Sequence, residues 1–128
     1  RYLIFNQWAS QMSDAARAAN PMFSAYGYDE SSQARMLERA QSFLSDLALA
    51  MKARTSAYLI GDHLTAADLY WAYFSNLLAP LPVEVNPMKP SSRQAYEIPG
   101  QLLAGYDPVI LAHRDFIFDQ HLQQPLDF

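Results

Sequence analysis

From Ala66 to Ala79 the chain reads AADLYWAYFSNLLA. Leu69, Tyr70, Trp71, Ala72, Tyr73, Phe74, Leu77 and Leu78 fall on every side of a 3.6-residue period. A helix that is apolar all round has no face to offer water, so it is expected at the centre of a larger helical assembly. Pro80 and Pro82 mark its end. Its first turn contains an acid, Asp68. An unpaired carboxylate at such depth is costly, so Asp68 needs partners. Thr65 and Asp68 have the spacing of a capping box, in which the Thr65 hydroxyl accepts from the Asp68 N–H and the Asp68 carboxylate accepts from the Thr65 N–H. The carboxylate also faces the positive end of the helix dipole. The pair therefore reads as structural capping, worth about 1 kcal/mol in ordinary hosts and more where burial is deep.

The segments around this helix supply its packing partners. Ile4, Phe5, Trp8, Met12, Ala15, Ala16 and Ala19 recur at helical spacing and predict a first helix over Tyr2 to Ala19, stopped by Pro21. An aromatic loop with Tyr26, Gly27 and Tyr28 follows, and its rings are expected to cover the bundle end. A second helix is predicted over Ser31 to Arg54, with Met36, Leu37, Ala40, Phe43, Leu44, Leu47 and Met51 as its apolar stripe. Residues 80–94 read as an extended loop because of their prolines, with short helical stretches at Ser92–Glu97 and Gln101–Ala104. The last helix starts at Asp107, where Asp107 caps, Pro108 suits the first helical position, and Tyr106 and Leu111 form a hydrophobic staple. No strand pattern and no repeat is present, so the expected fold is a single all-α helical bundle over residues 1–128.

Composition removes several functions. Apolar residues make up 51 % and charged residues 17 %, which excludes a disordered chain. The net charge is −4 and no basic run occurs, which argues against a nucleic-acid partner. No segment reaches the ~18 apolar residues of a membrane span. Cysteine is absent, so thiolate metal sites, disulfides and a cysteine nucleophile are excluded within these residues, and a cytoplasmic setting is expected. His63, His113 and His121 lack metal-ligand spacing, so no metal site is expected.

The string GDHLTAADL, Gly61 to Leu69, resembles the G-D-x-L-T-x-A-D-L signature of the all-helical C-terminal domain of glutathione S-transferases. It matches at Gly61, Asp62, Leu64, Thr65, Ala67, Asp68 and Leu69, after a long amphipathic helix and before an apolar one. The resemblance covers Tyr2 to about Ala79 and the final helix. The stretch from Pro80 to Pro90 has no counterpart in it. It implies an upstream thioredoxin-like domain that holds glutathione as co-substrate and carries the catalytic residue, so no catalytic residue and no cofactor is assigned to these residues. The chain then reads as a domain separated from that partner, with its first helix shortened. The resemblance also implies a homodimer and an apolar wall for an electrophilic substrate, to which Trp8 and Met12, four residues apart on the first helix, are the candidate contributors. Ordinary core packing is the competing account of both. A non-catalytic protein–protein interaction module of the same fold is the alternative function.

Overall fold

The computed structural model describes residues 2–26 and 31–126; Gly27 and Tyr28 lie outside the described residues. Among the described residues there are seven α-helices and no strand. The single first helix expected from periodicity is instead α1 (Tyr2–Ser10) followed by α2 (Asp14–Ala19). Two side chains account for the break. Ser13 is extended and its Oγ accepts from the Ala16 N–H at 3.3 Å, capping α2. Arg17 reaches back with Nη1 to the carbonyls of Ala9 at 2.9 Å and Met12 at 2.5 Å, and pairs with Asp14. Carbonyls left bare at the end of α1 are thereby satisfied without a continuing helix. α3 (Pro21–Ala25) follows, entered through Asn20, whose Oδ1 accepts from the Met22 N–H at 3.0 Å. It returns Phe23 to α1, with ring centroids 5.0 Å from Phe5 and 5.1 Å from Trp8.

α4 (Ser32–Ala53) matches the second helix to within a residue at each end. It buries Leu44, Ala48 and Met51, while Phe43 of the expected stripe is 56 % exposed. α5 (Ala66–Phe74) passes into one turn of 3-10 helix, Ser75–Leu77, short of the expected Ala79. Ser75 Oγ donates to the Ala72 carbonyl at 2.9 Å, and Asn76 Nδ2 donates to the carbonyls of Ala72 and Tyr73 at 3.4 and 3.3 Å. These side chains take up the acceptors at the helix end. α5 is also not buried on every side: Asp68 and Ala72 are enclosed, while Tyr73 and Phe74 are each 48 % exposed.

The proline-rich region is more regular than its composition predicts. α6 (Pro90–Leu102) is one continuous helix that carries Pro99 inside it. Arg93 Nη2 donates to the carbonyls of Leu81 and Asn86, both at 2.9 Å, and ties the preceding loop to its first turn. Pro99 is buried, and Gly100 beside it comes so close to the end of the α5 segment that a Cβ there would lie 1.8 Å from the Leu78 carbonyl oxygen. Tight packing outweighs the hydrogen bond that a proline forfeits in a helix. α7 (Val109–His121) begins a residue later than expected: Pro108 is its N-cap and not its first helical residue, and Asp107 stands one position before the cap, where its Oδ1 accepts from the Val109 N–H at 3.0 Å and its carboxylate pairs with Lys52.

Two buried clusters result among the described residues. Leu44, Ala48 and Met51 pack with Leu103 and Ile110, and Tyr106 and Leu111 lie against that group. Ala72, Leu81, Ile117, Phe118 and Leu126 form the second. α7 contributes to both. No helix among the described residues is long and apolar enough to cross a membrane.

Gly100→Ala is expected to destabilise the fold by at least about 2 kcal/mol, because the new methyl meets a backbone carbonyl rather than a movable side chain. Chemical denaturation checks this, and an unchanged midpoint would contradict the close approach.

Candidate functional site

The Asp68 side chain is fully enclosed. Its Oδ2 accepts from the Thr65 N–H at 2.9 Å and from the Thr65 hydroxyl at 2.7 Å. Its Oδ1 accepts from the Leu59 N–H at 2.8 Å and from His113 Nε2 at 3.0 Å. The reciprocal capping arrangement of Thr65 and Asp68 is present, and the carboxylate arm is its close one. Sequence spacing identified Thr65 but not His113, which is 45 positions away on α7, nor the loop amide of Leu59. The same four bonds join the loop before α5, the first turn of α5 and the middle of α7.

Burial opposes ionisation of Asp68, but the bonds from Leu59 and Thr65 and the nearby His113 outweigh it and hold the carboxyl below its ordinary range. His113 is also pushed down, by burial first and by the Arg54 guanidinium second, against the pull of Asp68. The imidazole is therefore neutral at pH 7. Because the ionised carboxylate can only accept, the ring proton sits on Nε2. Nδ1 makes no hydrogen bond of its own, and the Ala57 backbone beside the ring favours the protonated form less than burial opposes it. This constellation holds no substrate-facing atom. Among the described residues no group of three or more His, Cys, Asp or Glu is placed to hold a metal ion.

Open space lies elsewhere. A cleft of about 630 Å³ is lined by Phe5, Trp8, Met22, Tyr73, Phe74 and Tyr96, with Asn76 and Asn86 also on its wall. α1 and α3 supply one side, α5 another, and α6 the third. Trp8 is 42 % exposed and faces this space. Met12 does not line it: the break after α1 places Met12 in the turn, where its carbonyl serves Arg17. Met22, from α3, takes a place on the wall instead. Of the two residues singled out as substrate contacts, the structure brings Trp8 to the cleft and leaves Met12 outside it. Tyr73, Phe74 and Tyr96 were not singled out as site residues; two aromatics at the end of an apolar helix are the only signal the sequence offers for them. Tyr26 lies by α1, its ring 6.0 Å from Phe5.

No protein-family model, curated protein or solved structure matches the chain.

Asp68→Ala is expected to cost about 3–5 kcal/mol, because it strips partners from buried donors, and Thr65→Ala about 1–2 kcal/mol. Thermal melts rank the two; equal and small losses would refute the arrangement. The pH dependence has a defined sign. Between its lowered native pKa and 6.5, His113 binds more protons unfolded than folded, so its contribution is full above pH 6.5 and shrinks as pH falls below it. The Asp68 contribution is lost at lower pH, as the pH falls below 3.8 toward the lowered native value. His113→Gln is expected to flatten the first of these two declines in urea titrations from pH 7 to 5.

Proposed function

We propose that the chain is the helical domain of a glutathione S-transferase-like protein and that its aromatic cleft receives the apolar part of an electrophilic substrate. The observation that carries this reading is the cleft itself, an apolar space walled by Trp8, Met22, Tyr73, Phe74 and Tyr96 and large enough for a small aromatic molecule. The signature at Gly61 to Leu69 supports it from a separate direction. In this reading a thioredoxin-like partner domain binds glutathione and stabilises its thiolate. The helical domain holds the electrophile beside the sulfur, where orientation lowers the barrier. Thr65 and Asp68 keep the helix that bears Tyr73 and Phe74 in place and touch no reactant. A homodimer, as the resemblance implies, and a cytoplasmic setting, which the lack of cysteine fits, complete the reading.

Binding of a neutral aromatic dye, phenylnaphthylamine, and its displacement by an aryl halide tests the cleft. Trp8→Ala and Phe74→Ala are each expected to weaken binding about tenfold. Glutathione alone is expected to leave the dye in place. Wild-type binding by both variants would remove this reading and favour the non-catalytic interaction module.

A further inference from the structure

The segment between α4 and α5, residues 54–65, contains no regular element and no buried residue. None of the buried members of the two clusters belongs to it. It is fastened by polar contacts instead, and these fall on titratable side chains. The Leu59 N–H donates to Asp68 Oδ1 at 2.8 Å. The Tyr58 hydroxyl lies 3.1 Å from His121 Nε2, and the Tyr58 ring packs edge-on against Phe116. Within the segment Ser56 Oγ accepts from the Tyr58 N–H at 3.0 Å and donates to the Gly61 carbonyl at 2.5 Å. The turn that presents Tyr58 and Leu59 is thereby held as one piece. A piece fastened in this way can open without dismantling either core.

The weak point of this fastening is on its inner side. The His113 side chain is fully enclosed, with Nε2 on Asp68 and no hydrogen bond at Nδ1. Two parts of the chain at the start of the segment lie beside the ring, the Ala57 backbone and the Arg54 guanidinium. Arg54 Nη1 is itself enclosed and has no acceptor. The charged groups acting on the ring are therefore one carboxylate, Asp68 from α5, and one guanidinium, Arg54 from the end of α4. With the ring neutral, one negative and one positive charge flank it. A proton added to the ring leaves two cations and one carboxylate shut in together, and Arg54 Nη1 has no anion to turn to. The Ala57 backbone favours that proton, but burial and Arg54 oppose it more strongly. Opening of the segment relieves both, because water reaches the ring and Arg54 leaves it.

We infer that residues 54–61 form an acid-released latch, in which uptake of one proton by His113 drives Arg54 and the Leu59 N–H out of the enclosed cluster while the helical core stays folded. The ends of the latch suit a hinge. Gly61 has a φ of 70°, a region that glycine enters without strain, and Arg54 is already extended where α4 stops. Asp68 keeps its bonds to Thr65 and gives up the one to Leu59, so α5 loses one side of its anchorage. The direction follows from linkage. The open form binds the proton near pH 6.5 and the closed form only at lower pH, so the latch is shut above pH 6.5 and opens progressively below it. The latch does not depend on what the aromatic cleft binds.

Native-state amide hydrogen exchange on the intact chain tests it, with each rate divided by the intrinsic rate at the same pH. The Leu59 amide is expected to lose about tenfold in protection between pH 7 and pH 5. That exchange is expected to respond little to low concentrations of urea, whereas the Leu44 and Ala48 amides of α4 exchange through urea-sensitive global unfolding. His113→Gln keeps a side-chain donor for Asp68 and is expected to make Leu59 protection independent of pH. Arg54→Gln, at a half-buried position, is expected to cut the acid response to about threefold and to leave Leu59 protected at pH 7. Leu59 protection that does not change with pH in the wild-type chain overturns the inference. So does a response that survives in His113→Gln, which puts the sensor elsewhere, or one undiminished in Arg54→Gln, which leaves burial as the whole cause. A Leu59 amide that shares the urea dependence of α4 overturns it as well, because the opening is then global unfolding and not a latch.

Discussion

Four hydrogen bonds converge on the two oxygens of Asp68. Three come from within ten residues of it in sequence, and the fourth comes from α7. The carboxylate can remain ionised in an enclosed place only because these donors replace the water it has lost. In return it fixes the depth and the rotation of α5 against the loop before it and the helix behind it. Whatever α5 presents on its other side, Tyr73 and Phe74 included, inherits its position from this group. The partition is physically sensible. A carboxylate held by four donors is rigid, and that rigidity is useful behind a binding wall, while the enclosure of Asp68 and His113 keeps both away from any ligand.

The aromatic cleft depends on a second, local decision. Had α1 run unbroken to Ala19, as the spacing of its apolar residues predicts, Trp8 and Met12 would share one continuous helix face. Ser13 and Arg17 end the helix instead, and the chain doubles back through α3. Phe23 then packs on Phe5 and Trp8, and Met22 occupies the wall. The shape of the cleft is thus set by polar side chains at a turn, with the aromatic residues only furnishing its surface.

Which parts were legible follows from how local their causes are. The Thr65–Asp68 cap is an i, i+3 relation and can be read from four residues. The bounds of α4 and the start of α7 are likewise set by nearby residues. His113 has no such mark: its role arises from the packing of α7 on α5, and a lone histidine on a helix gives no sign of its partner. Residues 80–102 show propensity losing to tertiary contact. Four prolines between Pro80 and Pro90 foretell the loop correctly, but Pro99 lies within a helix because Gly100 admits the Leu78 carbonyl and Arg93 ties the helix start to the loop.

α7 enters both buried clusters, with Ile110 in one and Ile117 and Phe118 in the other. Neither cluster can therefore come apart without disturbing the helix that completes its neighbour. The two half-cores share a single structural member, and this makes them one cooperative unit with one unfolding transition, not a pair of separately melting layers. A ligand held between α1, α5 and α6 would raise the protection of amides on α4, although it touches none of them.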